Sequence, residues 1–179
     1  MLTGEKVLLR ARTVADSAVL DSELHNDVET MIRASGQPWR PQSVEQAEAK
    51  HRKAVDADPD PAVVNFAVQE IASGELAGEA QVWGIDLHQR FAHLGFTLLP
   101  AFRGRGLATD MIRLLCDYGF RIRGLHRLQV ETLSDNEPVL RATQKVGFVI
   151  EGRLRESAWV GSFVDEVILG LLAKEWSRA

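Results

Sequence analysis

The sequence of 179 residues is 45% hydrophobic and 26% charged, with a formal net charge of −4, which predicts a single domain spanning residues 1–179 with a substantial core. The net negative charge argues against a nucleic-acid-binding protein, because such proteins normally present a basic surface. No apolar run is long enough to span a membrane and no signal-peptide pattern is present, so we expect no membrane association. The one cysteine cannot form an internal disulfide, which is consistent with a cytoplasmic location.

The chain begins with a predicted strand and a predicted helix. The strand covers Val7 to Arg12. Thr13, followed three residues later by Asp16, is an N-cap signal for a helix that runs toward Leu24.

A second helix is predicted between two irregular stretches. Ser43 and Gln46 form a capping box, S-x-x-Q, before a polar helix that reaches about Val55. Asp27 to Pro41 lacks a regular hydrophobic period and predicts a loop or a short helix. Residues 56–61 have the sequence DADPDP and predict a turn, because proline does not fit inside a helix.

The rest of the chain alternates predicted strands and helices. Three strands, an amphipathic helix, a strand, a short helix and two strands follow in that order: Val63–Glu70, Leu76–Ile85, Arg90–Leu99, Leu107–Arg121, Leu128–Thr132, residues 138–146, Phe148–Arg155 and Val164–Ala173. Gly147 follows the short helix where a left-handed C-cap is expected. This order predicts a mixed α/β sheet flanked by helices.

The most informative local feature is the glycine-rich turn Arg103-Gly104-Arg105-Gly106-Leu107-Ala108-Thr109, which joins the third of these strands to the amphipathic helix. The first N–H groups of a helix have no internal partner, and the helix dipole places partial positive charge there. Glycine allows the backbone to approach a ligand closely and to adopt a positive φ. The turn therefore predicts a site for phosphate or pyrophosphate.

Two common phosphate-binding loops do not fit this turn. The nucleotide P-loop requires G-x-x-x-x-G-K-[ST], and no lysine follows Gly106. The dinucleotide fingerprint G-x-G-x-x-G/A has Thr109 at its last position. That fingerprint also belongs early in a βαβ unit, whereas this turn lies past the middle of the chain.

The turn resembles motif A of the GNAT N-acetyltransferases, Q/R-x-x-G-x-G/A, which here is Arg103-x-x-Gly106-x-Ala108. Further segments are similar to GNAT segments in the same order: the opening strand Gly4–Arg10, Asn136-Glu137-Pro138, Lys145-Val146-Gly147-Phe148, and the tail from Glu151 to Trp176. The opening strand and the tail are similar to the branch that acetylates ribosomal-protein N-termini and many small amines. The resemblance covers nearly the whole chain.

The resemblance implies a single-domain GNAT fold with a mixed, mostly antiparallel sheet of about six to seven strands. It also implies an enzyme that moves an acetyl group from acetyl-CoA to a primary amine in a ternary complex, without a metal. The implied coenzyme contacts come from the strand before the turn, the turn itself and the segment after the amphipathic helix: Thr97, Leu98, Leu99, Arg103, Gly104, Arg105, Gly106, Leu107, Ala108, Thr109, Asn136 and Arg141.

Three residues are candidates for catalysis. Many GNAT enzymes carry a glutamate in a strand pattern resembling A-E-I-G-Y, and His93 takes its place here; its alternative role is packing on the sheet face. Glu79, on the adjacent strand, is a second candidate base or an ammonium-binding carboxylate, unless it is a solvated strand residue. Asn136 resembles the asparagine that hydrogen-bonds pantetheine or a catalytic water, and it could also N-cap the next helix.

The acid that protonates the departing thiolate has several candidates. The tyrosine or serine of relatives falls at Thr143 or Val139, which leaves Ser134, Thr143 or water. Cys116 has no obvious histidine partner, so we expect direct transfer without an acetyl-enzyme. A non-catalytic acetyl-CoA sensor remains the alternative. A homodimer is expected because the related branch often pairs, and the acceptor, a small amine or a protein N-terminus, stays open.

Overall fold

The computed structural model describes residues 1–35, 38–56 and 60–176, and these residues form one eight-stranded sheet. The strands are β1 (Leu2–Thr3), β2 (Val7–Arg10), β3 (Val63–Glu70), β4 (Leu76–Asp86), β5 (Phe91–Leu98), β6 (Arg127–Leu133), β7 (Val149–Trp159) and β8 (Phe163–Leu172). Their order across the sheet is β1-β2-β3-β4-β5-β6-β8-β7, and β5 and β6 are parallel whereas the other pairs are antiparallel. The predicted mixed, mostly antiparallel sheet is confirmed, with eight strands instead of six or seven.

The helices lie where the sequence predicts them. They are α1 (Val14–Leu20), α2 (Val28–Ala34), α3 (Val44–Asp56), α4 (Leu107–Asp117) and α5 (Glu137–Val146). Helices α1 and α4 each continue into a π-helical turn, at Asp21–His25 and Tyr118–Ile122, which accounts for their greater predicted length. The turn predicted over 56–61 lies partly outside the described residues. Gly147 has φ +115 and ends α5 as its predicted left-handed C-cap.

The N-cap predicted at Thr13 and the capping box predicted at Ser43 and Gln46 are both present, and Thr13 and Asp16 also form a complete capping box. The backbone N–H of Asp16 donates to Thr13 Oγ1 (3.2 Å), and the Thr13 N–H donates to the Asp16 carboxylate (2.7 Å). Ser43 and Gln46 form the same reciprocal pair at 3.3 and 2.9 Å. Burial raises the pKa of Asp16, but hydrogen bonds from Arg10 and Thr13 outweigh this and lower that pKa to about 2. The start of α1 is therefore fixed both by its cap and by an ion pair to β2.

Side-chain alternation gives the sheet two unlike faces. One face is apolar: Val82 and Leu94 lie opposite each other on β4 and β5, and Phe66 on β3 contacts Tyr118, with ring centroids 5.3 Å apart. Since Tyr118 directly follows α4, this face lies against α4. The other face is polar and carries a row of β4 and β5 side chains: Glu79, Gln81, Trp83, His93 and Thr97.

Strands β5 and β6 diverge along their length. Their parallel register joins Phe91 to Arg127, Ala92 to Leu128 and His93 to Gln129, and within residues 60–176 it ends there. β5 continues beside β4 as far as Leu98, and β6 continues beside β8. The two strands therefore leave a cleft inside the sheet, which is where the candidate site lies.

Candidate functional site

A pocket of about 280 Å³ lies at the open end of this cleft. The end of β5, the glycine-rich turn, the start of α4 and one side of α5 line it: Leu98, Gly104, Gly106, Leu107, Ala108, Thr109, Pro138, Arg141, Ala142 and Lys145. Seven of the predicted coenzyme residues are thus brought together, one from β5, five from the turn and one from α5.

The start of α4 suits an anion. Gly106 is the N-cap, with φ +78, and it offers no side chain to the first N–H groups of the helix. Gly104 has φ +76, and a Cβ placed on it would meet no atom within 4 Å, so the pocket beside it is open space. Arg141 and Lys145 add positive charge from α5. Unpaired helix N–H groups with two cations nearby fit a pyrophosphate.

The two arginines of the turn have partners outside this pocket. Arg103 donates from Nε to the Leu98 carbonyl oxygen (3.1 Å) and from a terminal nitrogen to Thr30 Oγ1 (3.2 Å). Arg105 pairs with the buried carboxylate of Glu70 at 3.1 Å, and its guanidinium lies 4.8 Å from the centre of the Phe102 ring. Their role as pyrophosphate ligands remains a prediction. Both side chains make contacts with other residues instead.

Of the other predicted coenzyme residues, Thr97 and Asn136 border the cleft and Leu99 is buried. Thr97 lies on the polar face opposite Glu79, and Leu99 is 2% exposed in the core. Asn136 is at the N-cap position of α5, but its side chain makes no capping bond; instead Nδ2 donates to Thr132 Oγ1 at 3.0 Å. Its amide is therefore held by the end of β6, on the far wall of the cleft.

His93 lies where β5 and β6 begin to separate. Its ring stacks on Trp83, with centroids 4.1 Å apart, and meets Phe91 edge-on. Its buried Nδ1 is 3.6 Å from a carboxylate oxygen of Glu131 and has no hydrogen-bond partner among the described residues. Burial and the charge of Arg127 lower the pKa of His93 below its usual value, against an opposing effect of Glu131. A neutral imidazole can accept a proton at the ring nitrogen that carries no hydrogen.

Glu79 is engaged by two basic side chains. It forms an ion pair with Arg12, and His25 Nε2 lies 2.9 Å from its Oε1. Burial raises the pKa of Glu79, but the hydrogen bond with His25 and the charge of Arg12 hold that pKa below its usual value. An ionised and already paired carboxylate is a poor proton acceptor at neutral pH.

The two candidate bases are well separated. Thr97, the residue opposite Glu79, is four positions along β5 from His93, a separation of ~13 Å at the usual strand rise. They therefore do not serve the same nitrogen atom. Sequence reasoning did not find Arg12 and His25 as partners of Glu79, because they are 67 and 54 residues away and no local pattern links them.

Two of the residues considered for acid or covalent chemistry, Thr143 and Cys116, are buried, whereas Ser134 is half-exposed. Thr143 is fully buried, and its hydroxyl donates to the carbonyl oxygens of Val139 and Leu140, at 2.8 and 3.0 Å. Cys116 is also fully buried, and burial raises the pKa of its thiol well above the usual value. Neither group is available to a substrate in the cleft.

The fold, the diverging parallel strands and the anion pocket at a helix N-terminus together define an acetyltransferase architecture. The profile of the Acetyltransferase (GNAT) domain matches residues 6–149, and the chain belongs to this family of acetyl-CoA-dependent acyltransferases. None of the helices in the described ranges is both long and apolar enough to cross a membrane.

Named relatives are similar over different lengths. YdaF of Bacillus subtilis (strain 168), whose name assigns it to ribosomal N-acetylation, is 31% identical over 58% of this chain. Spermidine N(1)-acetyltransferase of Escherichia coli (strain K12) is 32% identical over 49% of this chain. The match spans 57% and 47%, about half, of these two proteins. The structure of Vibrio cholerae spermidine N-acetyltransferase in complex with CoA and spermine has 25% identity and a TM-score of 0.83, covering 94% of this chain and 96% of that one.

Proposed function

We propose that this protein transfers an acetyl group from acetyl-CoA to the primary amine of a small molecule. The pocket at the N-terminus of α4, which opens onto the cleft between β5 and β6, is the observation that carries the proposal. In it the pyrophosphate lies against the first turn of α4 and the cations of α5, and the pantetheine runs along the free edge of β5. The spermidine acetyltransferases among the similar proteins support a small amine acceptor over a protein N-terminus.

The proposed reaction is direct attack in a ternary complex. His93 takes a proton from the ammonium, and the amine nitrogen then attacks the thioester carbonyl carbon. The C–N bond forms, the C–S bond breaks, and coenzyme A leaves as a thiolate. The second proton that the nitrogen loses on becoming an amide passes through water to this thiolate. The buried thiol of Cys116 supports a route without an acetyl-enzyme. In this mechanism Asn136 stabilises the far wall of the cleft through its bond to Thr132. Glu79 stabilises the acceptor side through its pairs with Arg12 and His25.

A sensor that binds acetyl-CoA without using it is the second candidate, favoured by one observation. The residue at the family's tyrosine position, Thr143, has its hydroxyl fully buried and bonded to the backbone. Both candidates require the same pocket, so coenzyme binding alone does not separate them.

The test measures binding and turnover together. Calorimetry with acetyl-CoA is followed by a thiol-release assay with spermidine, spermine, single amino acids and a short peptide with a free N-terminus. We expect saturable binding and thiol release that depends on a small amine. Binding without release for any amine supports the sensor, release with the peptide alone indicates a protein N-terminus, and absence of binding overturns both candidates.

We also propose a homodimer that pairs through β7. This strand is at the edge of the sheet and exposes apolar side chains, with Val149 58%, Ile150 49% and Leu154 46% exposed. An edge strand with unpaired backbone groups and exposed apolar residues normally requires a partner or protection. A second copy of the same strand, related by a two-fold axis, meets that requirement on both molecules.

A further inference from the structure

Helix α2 lies across the open end of the cleft. At its C-terminal end, Arg33 pairs with Asp135, in the loop between β6 and α5, at 2.5 Å. In its middle, Thr30 Oγ1 accepts a hydrogen bond from Arg103, in the loop between β5 and α4, at 3.2 Å. The helix is therefore tied to both walls of the cleft by residues 102 and 73 positions away in sequence.

Polar contacts hold this helix more than burial does. All of its residues are exposed or half-exposed, including Val28 at 41% and Ile32 at 36%. Thr30 also donates to the Asp27 carboxylate at the N-cap position, at 2.5 Å. Because little apolar surface is buried, the position of α2 depends on its bonds to Arg103 and Asp135.

Arg103 connects this helix to the coenzyme pocket. Its guanidinium bonds both to Thr30 and to the carbonyl oxygen of Leu98, a residue that lines the pocket. Its backbone belongs to the same loop as Gly104 and Gly106, which also line the pocket. A ligand that orders this loop therefore restricts the guanidinium, and through it α2.

We propose that Arg103 is a positioning residue that couples occupancy of the coenzyme pocket to the placement of α2. This inference rests on the proposed function for its second half: α2 directly follows the π-helical turn containing His25, the partner of Glu79, and so borders the acceptor side of the cleft. Coenzyme binding then tightens amine binding, and linkage requires the reverse to hold as well. This role differs from direct contact of the Arg103 side chain with pyrophosphate.

Hydrogen exchange with coenzyme A as the probe tests the coupling without any turnover. In the wild-type protein, saturating coenzyme A should slow exchange in the peptide covering α2 by about fivefold, the scale of one ordinary hydrogen bond. Arg103→Ala and Thr30→Val should each abolish this protection, while the dissociation constant for coenzyme A changes by less than about threefold. Arg52→Ala, which removes an exposed arginine on α3, is the matched control and should keep the protection.

Three results would overturn the proposal. The first is a more than tenfold loss of coenzyme A affinity in Arg103→Ala, which would show that the side chain contacts the pyrophosphate directly. The second is unchanged α2 protection in both variants, and the third is no protection in the wild-type protein. Where an acceptor is known, Thr30→Val should also raise its KM several-fold and leave kcat nearly unchanged. Failure of acetyl transfer with every amine refutes the proposed function but leaves the exchange experiment valid.

Discussion

Trp83 and His93 lie opposite each other on β4 and β5, and their rings stack nearly parallel, 14° apart in plane angle. The indole shields the imidazole from water on the polar face of the sheet. The same stacking leaves Nδ1 buried and without a hydrogen-bond partner among the described residues. Burial lowers the pKa of His93, which favours the neutral imidazole that a general base requires.

Replacement of His93 tests its role as the base. His93→Phe keeps a ring against Trp83 and loses no hydrogen bond at Nδ1, so it should fold normally. We expect kcat to fall by roughly 10²-fold, the scale for removing a positioned base. Burial lowers the pKa of His93 from its usual 6.5. The wild-type rate should therefore decrease as the pH falls through this lowered pKa, because the ring becomes protonated. The variant should lack this acidic limb in its pH–rate profile.

Exposed His88 provides the control for His93. His88→Phe should keep both the rate and the pH profile. A folded His93→Phe protein with turnover within about threefold of wild type would make His93 a packing residue and return attention to a water relay.

Glu79 should matter for stability more than for proton transfer. Glu79→Gln leaves Arg12 and His25 without their carboxylate, and we expect a loss of about 2 kcal/mol in the free energy of unfolding at pH 7. The folded-state pKa of Glu79 is below its usual 4.5, so this stabilisation is fully present above pH 4.5 and is lost as the pH falls through the folded-state pKa. Urea denaturation should show that the difference in unfolding free energy between Glu79→Gln and wild type is smaller in acid than at pH 7.

Glu79→Gln also distinguishes a structural role of Glu79 from a catalytic one. Glu48→Gln, in an exposed pair on α3, should change stability by less than about 0.5 kcal/mol. A loss of kcat near 10²-fold in folded Glu79→Gln would instead identify Glu79 as the base.

Gly104 and Gly161 form a matched pair for testing the pocket. Both have positive φ, +76 and +93, and at both an added Cβ meets no atom within 4 Å. Alanine at either position should cost about 1 kcal/mol of stability through backbone strain. Only Gly104→Ala should weaken the binding of acetyl-CoA, by about tenfold, because of the two glycines only Gly104 lines the pocket. Calorimetry checks this, and equal affinity in the two variants would place the coenzyme elsewhere.

The proposed dimer can be broken at β7. Leu154 is 46% exposed on this edge strand, and Leu154→Asp should convert a species of twice the 19.9 kDa chain mass into a monomer. Sedimentation of both proteins at micromolar concentration measures this. A wild-type protein that sediments only as a monomer contradicts the proposal.

Local signals predicted local structure well, and distant contacts were beyond the sequence. The capping residues Thr13 and Ser43 bond to atoms three positions away, so a short sequence pattern contains both partners of each bond. β7 was predicted too short because its pairing with β8 shifts register between Leu154 and Ala158, where Glu156 takes φ +51, and only the partner strand specifies that irregularity. The partner of Arg103 was missed for the same reason, since Thr30 is 73 residues away.

The early end of the β5–β6 ladder creates a sheet edge inside the molecule. Beyond His93 the side of β5 that faces away from β4 presents N–H and C=O groups to the cleft, as an outer edge strand does to solvent. An extended, amide-containing ligand can satisfy them as a neighbouring strand would. Besides the outer edge strands β1 and β7, the sheet therefore has an edge inside the molecule, and a coenzyme lying in the cleft would cover that edge and so oppose aggregation through it.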